Sequence, residues 1–229
     1  MSKDPTKHMN KNTKCKGGNL HLIKIPKRYI RSVERSALGA FKEVRVLFKY
    51  EKPVEIVVFS SIPGMVIPEL GIIGHAFGQG DIVIDIDFQR KDVAKIIQKE
   101  LPNSLFHEFS HIVRGTITKI PGTTLLEDFV IEGIGSYIEK HICKNVPPYI
   151  KPIKNEDQLW KKAQRILRKK NYTWRDHVAW FYGQGTLPRW IGYRLGYLIV
   201  SGYMKNNKNT SMADLTRMKT SEIFKKSGY

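Results

Sequence analysis

The order of its secondary-structure signals predicts an α+β fold for this chain, with strands early and helices late. Between Val54 and Phe88 the apolar residues alternate, or run in short blocks bounded by turn formers, as strands require. From Asp92 onward they recur at helical spacing. At the junction of the two patterns stands a single His-Glu-x-x-His motif, HEFSH at His107–His111.

The elements are justified in order along the chain. Residues 1–19 are polar and rich in Lys and Asn, so they are expected to be a disordered basic tail, leaving residues 20–229 as a single domain. Lys27 to Lys42 reads as a helix, and Val44 to Tyr50 either extends it or begins a strand. Val54 to Phe59 is a strand between Pro53 and Ser60-Ser61, Gly71 to Phe77 is a glycine-rich one, and Asp81 to Phe88 alternates well. Gly78-Gln79-Gly80 suggests a hairpin between the last two. Asp92 to Glu100 is a helix that Pro102 is expected to end. Helices follow over Asn103–Arg114, Thr124–Ile142, Asp157–Lys170, Trp174–Tyr182 and Pro188–Tyr203, with two short ones at the C-terminus.

In the motif helix Asn103 and Ser104 are good N-cap residues, and Gly115 offers a stop. Leu105, Phe106, Phe109, Ile112 and Val113 form its apolar side, so the helix is anchored in a core. On a helix, positions i and i+4 share a face, and His107 and His111 can aim both imidazoles at one zinc ion. Glu108, beside the first of them, can serve as a general base toward a metal-activated water.

Catalytic zinc usually takes three protein ligands and a water, so a third ligand is needed. The next helix supplies Glu132, a mid-helix carboxylate among apolar neighbours and followed by Gly133 and Gly135. A buried carboxylate is costly unless it binds a cation or is paired. The two glycines are expected to let this helix approach the motif helix closely. Thr123 or Thr124 can cap it, and Glu127 and Asp128 read either as groups that orient a ligand imidazole or as ordinary first-turn charge.

HEFSHIVR, TLLEDFVIEGIGSYIE, WFYGQGTLPRWIGYRLGYLIV and the terminal SEIFKKSGY resemble a family of bacterial predicted zinc-dependent proteases, over roughly Gly71 to Tyr229. The motif and its downstream Glu also resemble the gluzincin metallopeptidases, which include thermolysin and the zinc aminopeptidases. The aminopeptidases carry their ligand in a Glu-Gly-Phe-Ala context, similar to Glu132-Gly133-Ile134-Gly135 here. No third His follows in the metzincin register, which favours a site completed by Glu. The resemblance implies a zincin-like architecture: a small twisted N-terminal sheet, the HExxH helix, then a helical C-terminal half. It implies one zinc ion held by His107, His111 and Glu132, with Glu108 catalytic, and a peptide or protein substrate.

An edge strand near the metal binds extended peptide in such enzymes, and Gly71–Phe77 is the candidate, its glycines serving either close backbone approach or a bulge. His75 within it either touches substrate or is a surface histidine. A late-helix Tyr followed three positions on by Gly stabilises the oxyanion in the aminopeptidases. Tyr193 with Gly196 resembles that arrangement, and Tyr193 can equally be a core aromatic. Tyr197, His177, Arg189 and Arg194 are weaker candidates for holding substrate or orienting the tyrosine. The alternative is a non-catalytic zinc-binding scaffold or regulatory domain with a basic anion-binding surface.

Composition limits the partners. The net charge is +18 over 229 residues, concentrated in the stretch through Arg28 and in Lys144–Arg175. The basic stretches are either solvated faces or surfaces that attract anionic partners. No nucleic-acid-binding motif accompanies the charge, so a nucleic-acid partner is not expected. No apolar core follows the N-terminal lysines and no segment is apolar enough to span a membrane, from which a cytoplasmic location is expected. Cys15 and Cys143 lack the spacing of a metal or disulfide framework.

Overall fold

A computed structural model of the chain describes residues 9–62, 64–78, 80–115 and 122–229. The fold is α+β with a five-stranded mixed sheet among the described residues. They group into two compact units that divide between Val113 and Arg114.

The first unit holds β1 (Met9–Cys15), β2 (Gly18–Ile23), α1 (Ile30–Phe48), β3 (Val54–Ser60), β4 (Ile72–Phe77), β5 (Asp81–Ile86), α2 (Val93–Lys95) and most of α3 (Leu101–Arg114). The strand order is β1-β2-β3-β5-β4. β2, β3 and β5 run parallel, while β1 and β4 are antiparallel to their neighbours. One face carries Leu20, Leu22, Ile56, Val58, Ile82 and Ile84, all buried, as strand alternation dictates. α1 buries Val33, Ala37, Phe41, Val44 and Phe48. Phe109 of α3 meets the rings of Phe41, Phe48 and Tyr50 at centroid distances of 6.0, 5.8 and 5.4 Å. Aromatic anchoring of this kind fixes the motif helix against the rest of its unit.

Three expectations are revised here. The disordered tail to residue 19 gives way to β1 and β2 over its later part; residues 1–8 lie outside the described residues. β1 is polar and is held by its backbone ladder and by Lys11 and Thr13, which donate to Glu34 of α1 at 2.6 and 2.7 Å. A strand stabilised this way leaves no apolar alternation to read. α1 continues to Phe48, which settles Val44 to Tyr50 in favour of helix up to that point.

The third revision concerns Pro102, which does not end a helix. Helical backbone runs from Val93 to Arg114, with a π-helical turn over Ile96–Glu100. Proline lacks an N–H and its ring clashes with the carbonyl four residues back, so an α-turn here is disfavoured. The wider π-turn relieves that crowding. Leu101 N–H reaches back five residues to Ile96 O, and Ile97 O, its ordinary partner, instead accepts from Ser36 Oγ at 2.6 Å. Asn103 and Ser104 therefore lie inside the helix, not at its cap, with Asn103 Nδ2 donating to Glu100 at 3.4 Å.

The second unit is helical: α4 (Leu125–His141), α5 (Glu156–Gln164), α6 (Trp174–Tyr182), α7 (Ile191–Asn206), α8 (Met212–Arg217) and α9 (Thr220–Ser227). Thr124 caps α4, accepting from Glu127 N at 3.2 Å. α4 crosses α7 at two glycines. A Cβ on Gly133 would stand 2.3 Å from Gly196 O, and one on Gly196 would stand 2.1 Å from Phe129 O. Gly133 thus serves the approach of α4 to α7, where the sequence suggested an approach to the motif helix. Among the described residues no helix is long and apolar enough to cross a membrane.

Candidate metal centre

α3 places His107 and His111 one turn apart on the same face, with ring centroids 4.8 Å apart and planes at 77°. Both are buried, as is Glu108 between them. Burial of two imidazoles and a carboxylate on one helix is costly without a compensating charge. The potential ligand atoms of His107, His111 and Glu132 all lie within 4.8 Å of one another, a group able to hold a metal ion. Two imidazole nitrogens and one carboxylate oxygen are a donor set that zinc accepts, so the residues present fit the metal the motif implies.

Glu108 faces the sheet. A Cβ built on Gly74 of β4 would stand 2.6 Å from Glu108 Cγ and 2.7 Å from its Oε1, so only glycine leaves the carboxylate where it is. Gly74 is thus required by the approach of the Glu108 side chain. β4 is an edge strand among the described residues. Asp87 N–H donates to Gly71 O at 3.1 Å, which sets the register of the β4–β5 ladder. By the alternation of an antiparallel pair, His75 turns its backbone groups to β5, while Gly74 and Ala76 turn theirs to the open edge. Ile67 N–H takes Ile72 O at 3.3 Å and covers only the start of that edge. The His75 side chain is exposed on the opposite face of β4 from Glu108.

In the second unit Asp128 lies one turn before Glu132 on α4 and is almost fully buried. It accepts from Tyr172 Oη at 2.7 Å, from Gly122 N–H and from His177 Nδ1 at 2.6 Å. His177 is sandwiched between Trp174 and Phe181, at centroid distances of 4.9 and 4.6 Å. The Asp128 carboxylate fixes the orientation of the His177 ring through Nδ1. Burial and the Asp128 carboxylate raise the Tyr172 hydroxyl far above its ordinary pKa, with Glu132 adding to the effect, so it stays a donor. The imidazole that Asp128 holds here is His177, which is not one of the two motif histidines.

The remaining candidates have the following partners within the second unit. Glu127 accepts from Thr123 N–H and Oγ1 and caps its own helix. Arg194 forms a two-pronged pair with Glu156 at 2.8 and 3.1 Å and donates to Ile150 O at 2.9 Å. Tyr197 is buried, its hydroxyl beside Lys140 at 2.7 Å and His141 at 3.4 Å, two turns along α4 from Glu132. Tyr193 packs in an aromatic cluster with Tyr149, Phe181 and Trp190, at centroid distances of 4.8, 5.2 and 5.9 Å. Arg189 lies over the Trp190 ring at 4.2 Å.

Sequence reasoning missed Tyr172, and it placed Asp128 and His177 without pairing them. They stand 44 and 49 positions apart from Asp128, beyond any helical or strand period. The one trace in the sequence is that Asp128 adjoins the apolar positions Leu125 and Phe129 in a helix otherwise buried on that side.

The family model described as "Predicted Zn-dependent protease (DUF2268)" matches residues 33–225. No curated protein matches the chain.

Proposed function

We propose a zinc-dependent peptidase of gluzincin type for this chain, which belongs to the DUF2268 family of predicted zinc-dependent proteases. The observation that carries the reading is the grouping of His107, His111 and Glu132, with Glu108 beside them. His107 and His111 supply nitrogen ligands and Glu132 an oxygen ligand for one zinc ion. When bound, zinc polarises the scissile carbonyl and makes water a competent nucleophile at neutral pH. Glu108 takes the proton of the attacking water and passes it to the leaving amine. The small sheet, the motif helix and the helical second unit are the parts of a zincin-like arrangement.

Substrate is read as an extended peptide laid along the open edge of β4. Gly74 and Ala76 offer backbone donors and acceptors there, and strand addition tolerates many side chains. Gly74 then sets both the path of substrate and the position of the base. Tyr193 is kept as the donor to the developing oxyanion.

A direct test of this reading is digestion of a broad peptide library by zinc-loaded protein, with products identified by mass spectrometry and zinc measured on the same sample. Cleavage that stops with a chelator and returns with zinc is the expected result. Absence of any bound transition metal in protein purified without chelator would refute it. Gly74→Ala sharpens the reading. The atoms nearest its new Cβ all belong to the Glu108 side chain, so the fold and zinc content should survive. Moving the base by even ~1 Å is expected to slow turnover on the order of a hundredfold. Unchanged turnover in Gly74→Ala would remove the close approach of β4 from the mechanism.

A further inference from the structure

The second unit contains a cavity of about 530 Å³ whose wall includes Arg114, Arg168, Arg217, Lys219, Thr220 and Ser221. Arg114 is 1% exposed, so a guanidinium has been taken out of water almost completely. Its Nη1 donates to Thr216 O at 3.0 Å and to Met218 O, and its Nη2 to Thr220 Oγ1 at 2.7 Å. Its Nε has no hydrogen-bond partner among the described residues. A buried donor on a charged group is expensive to leave unmade. Burial pulls this guanidinium down to about 10, against the Glu127 carboxylate, so it remains charged at neutral pH.

A second feature points the same way. α9 begins at this wall, and Lys219 at its N-cap supplies no side-chain acceptor. The N–H groups of Thr220 and Ser221 precede the first bond of the helix, from Glu222 N–H to Lys219 O at 3.0 Å. An uncapped helix start favours an anion through its orphan donors and its dipole. Glu127 is the carboxylate on the wall, and it is turned onto Thr123. Leu126 gives the cavity an apolar part, and its volume lies in the range of small-molecule sites.

We infer that this cavity binds a phosphate group, with Arg168, Arg217 and Lys219 as its cationic partners, the buried charge of Arg114 behind them and the start of α9 as its backbone cradle. A tetrahedral dianion uses donors converging from a helix start and several cationic side chains, where a single carboxylate leaves most of them unmet. The site is separate from the proposed peptidase chemistry and does not rest on it.

Calorimetric titration of the full chain at constant ionic strength tests this, with inorganic phosphate and phenyl phosphate as probes. Saturable binding at one site per chain is expected. Arg168 and Lys219 are exposed, so Arg168→Gln/Lys219→Gln should fold normally. That double variant should weaken phosphate binding at least about tenfold, while Lys161→Gln/Lys162→Gln on α5 should change it by less than about twofold. Phenyl phosphate bound much more tightly than inorganic phosphate identifies a phosphorylated small molecule as the ligand; equal affinities identify the free anion. Lack of saturable binding of either probe overturns the inference. So does equal weakening by the two double variants, which would reduce the effect to the net charge of the chain.

Discussion

Glu108→Gln is expected to abolish peptide hydrolysis and leave zinc in place. The substitution keeps the size of the side chain and its fit beneath Gly74 of β4, where the Glu108 Cγ has no room to spare. It removes the one property the mechanism needs, the ability to accept a proton. General acid–base catalysis contributes roughly 10²- to 10⁴-fold. Glu108 is asked to act twice, on the attacking water and on the leaving amine, so the loss should lie at the upper end of that span. The measurement is turnover on the best peptide from the library, with zinc content and the melting temperature recorded on the same preparation. Hydrolysis at the wild-type rate in a zinc-loaded Glu108→Gln protein would show that another group is the base. His177 would then be the first to examine, since its ring is held in one orientation by Asp128 at 2.6 Å.

How much of this was legible in the sequence depends on the range of the interaction. The motif helix and α4 could be read because apolar periodicity and the i, i+4 rule are local. Edge strand β4 could be read from its glycines and from the alternation of the strand that follows. β1 could not, because a polar strand held by a backbone ladder and by Glu34 carries no apolar signal. Pro102 misled for a related reason. Its usual effect is to break a helix, and the turn that absorbs it is completed by Ser36, 61 positions from Ile97. Gly133 suggests a close approach to the motif helix, whereas its contact is with Gly196 of α7, a partner that no local rule names. The Asp128–Tyr172–His177 cluster joins residues from three places in the chain and becomes visible only when they are folded together.

Zinc should be lost from His111→Ala and from Glu132→Ala, and retained by Glu127→Ala. The three positions test one geometric statement. The potential ligand atoms of His107, His111 and Glu132 converge within 4.8 Å, whereas Glu127, one turn and one residue before Glu132 on the same helix, is spent on Thr123. Removing a ligand leaves two protein donors, and the affinity loss should exceed the roughly 10- to 100-fold that follows loss of a supporting partner. Dialysis against a competing chelator, followed by elemental analysis, reads that difference directly. Glu127→Ala should cost about 0.5–2 kcal/mol of stability, as loss of a helix cap does, without moving the zinc content. Circular dichroism on each variant separates loss of metal from loss of fold. Full zinc occupancy in Glu132→Ala would remove Glu132 from the site and with it the gluzincin reading, while leaving the two histidines of α3 as the core of a different centre.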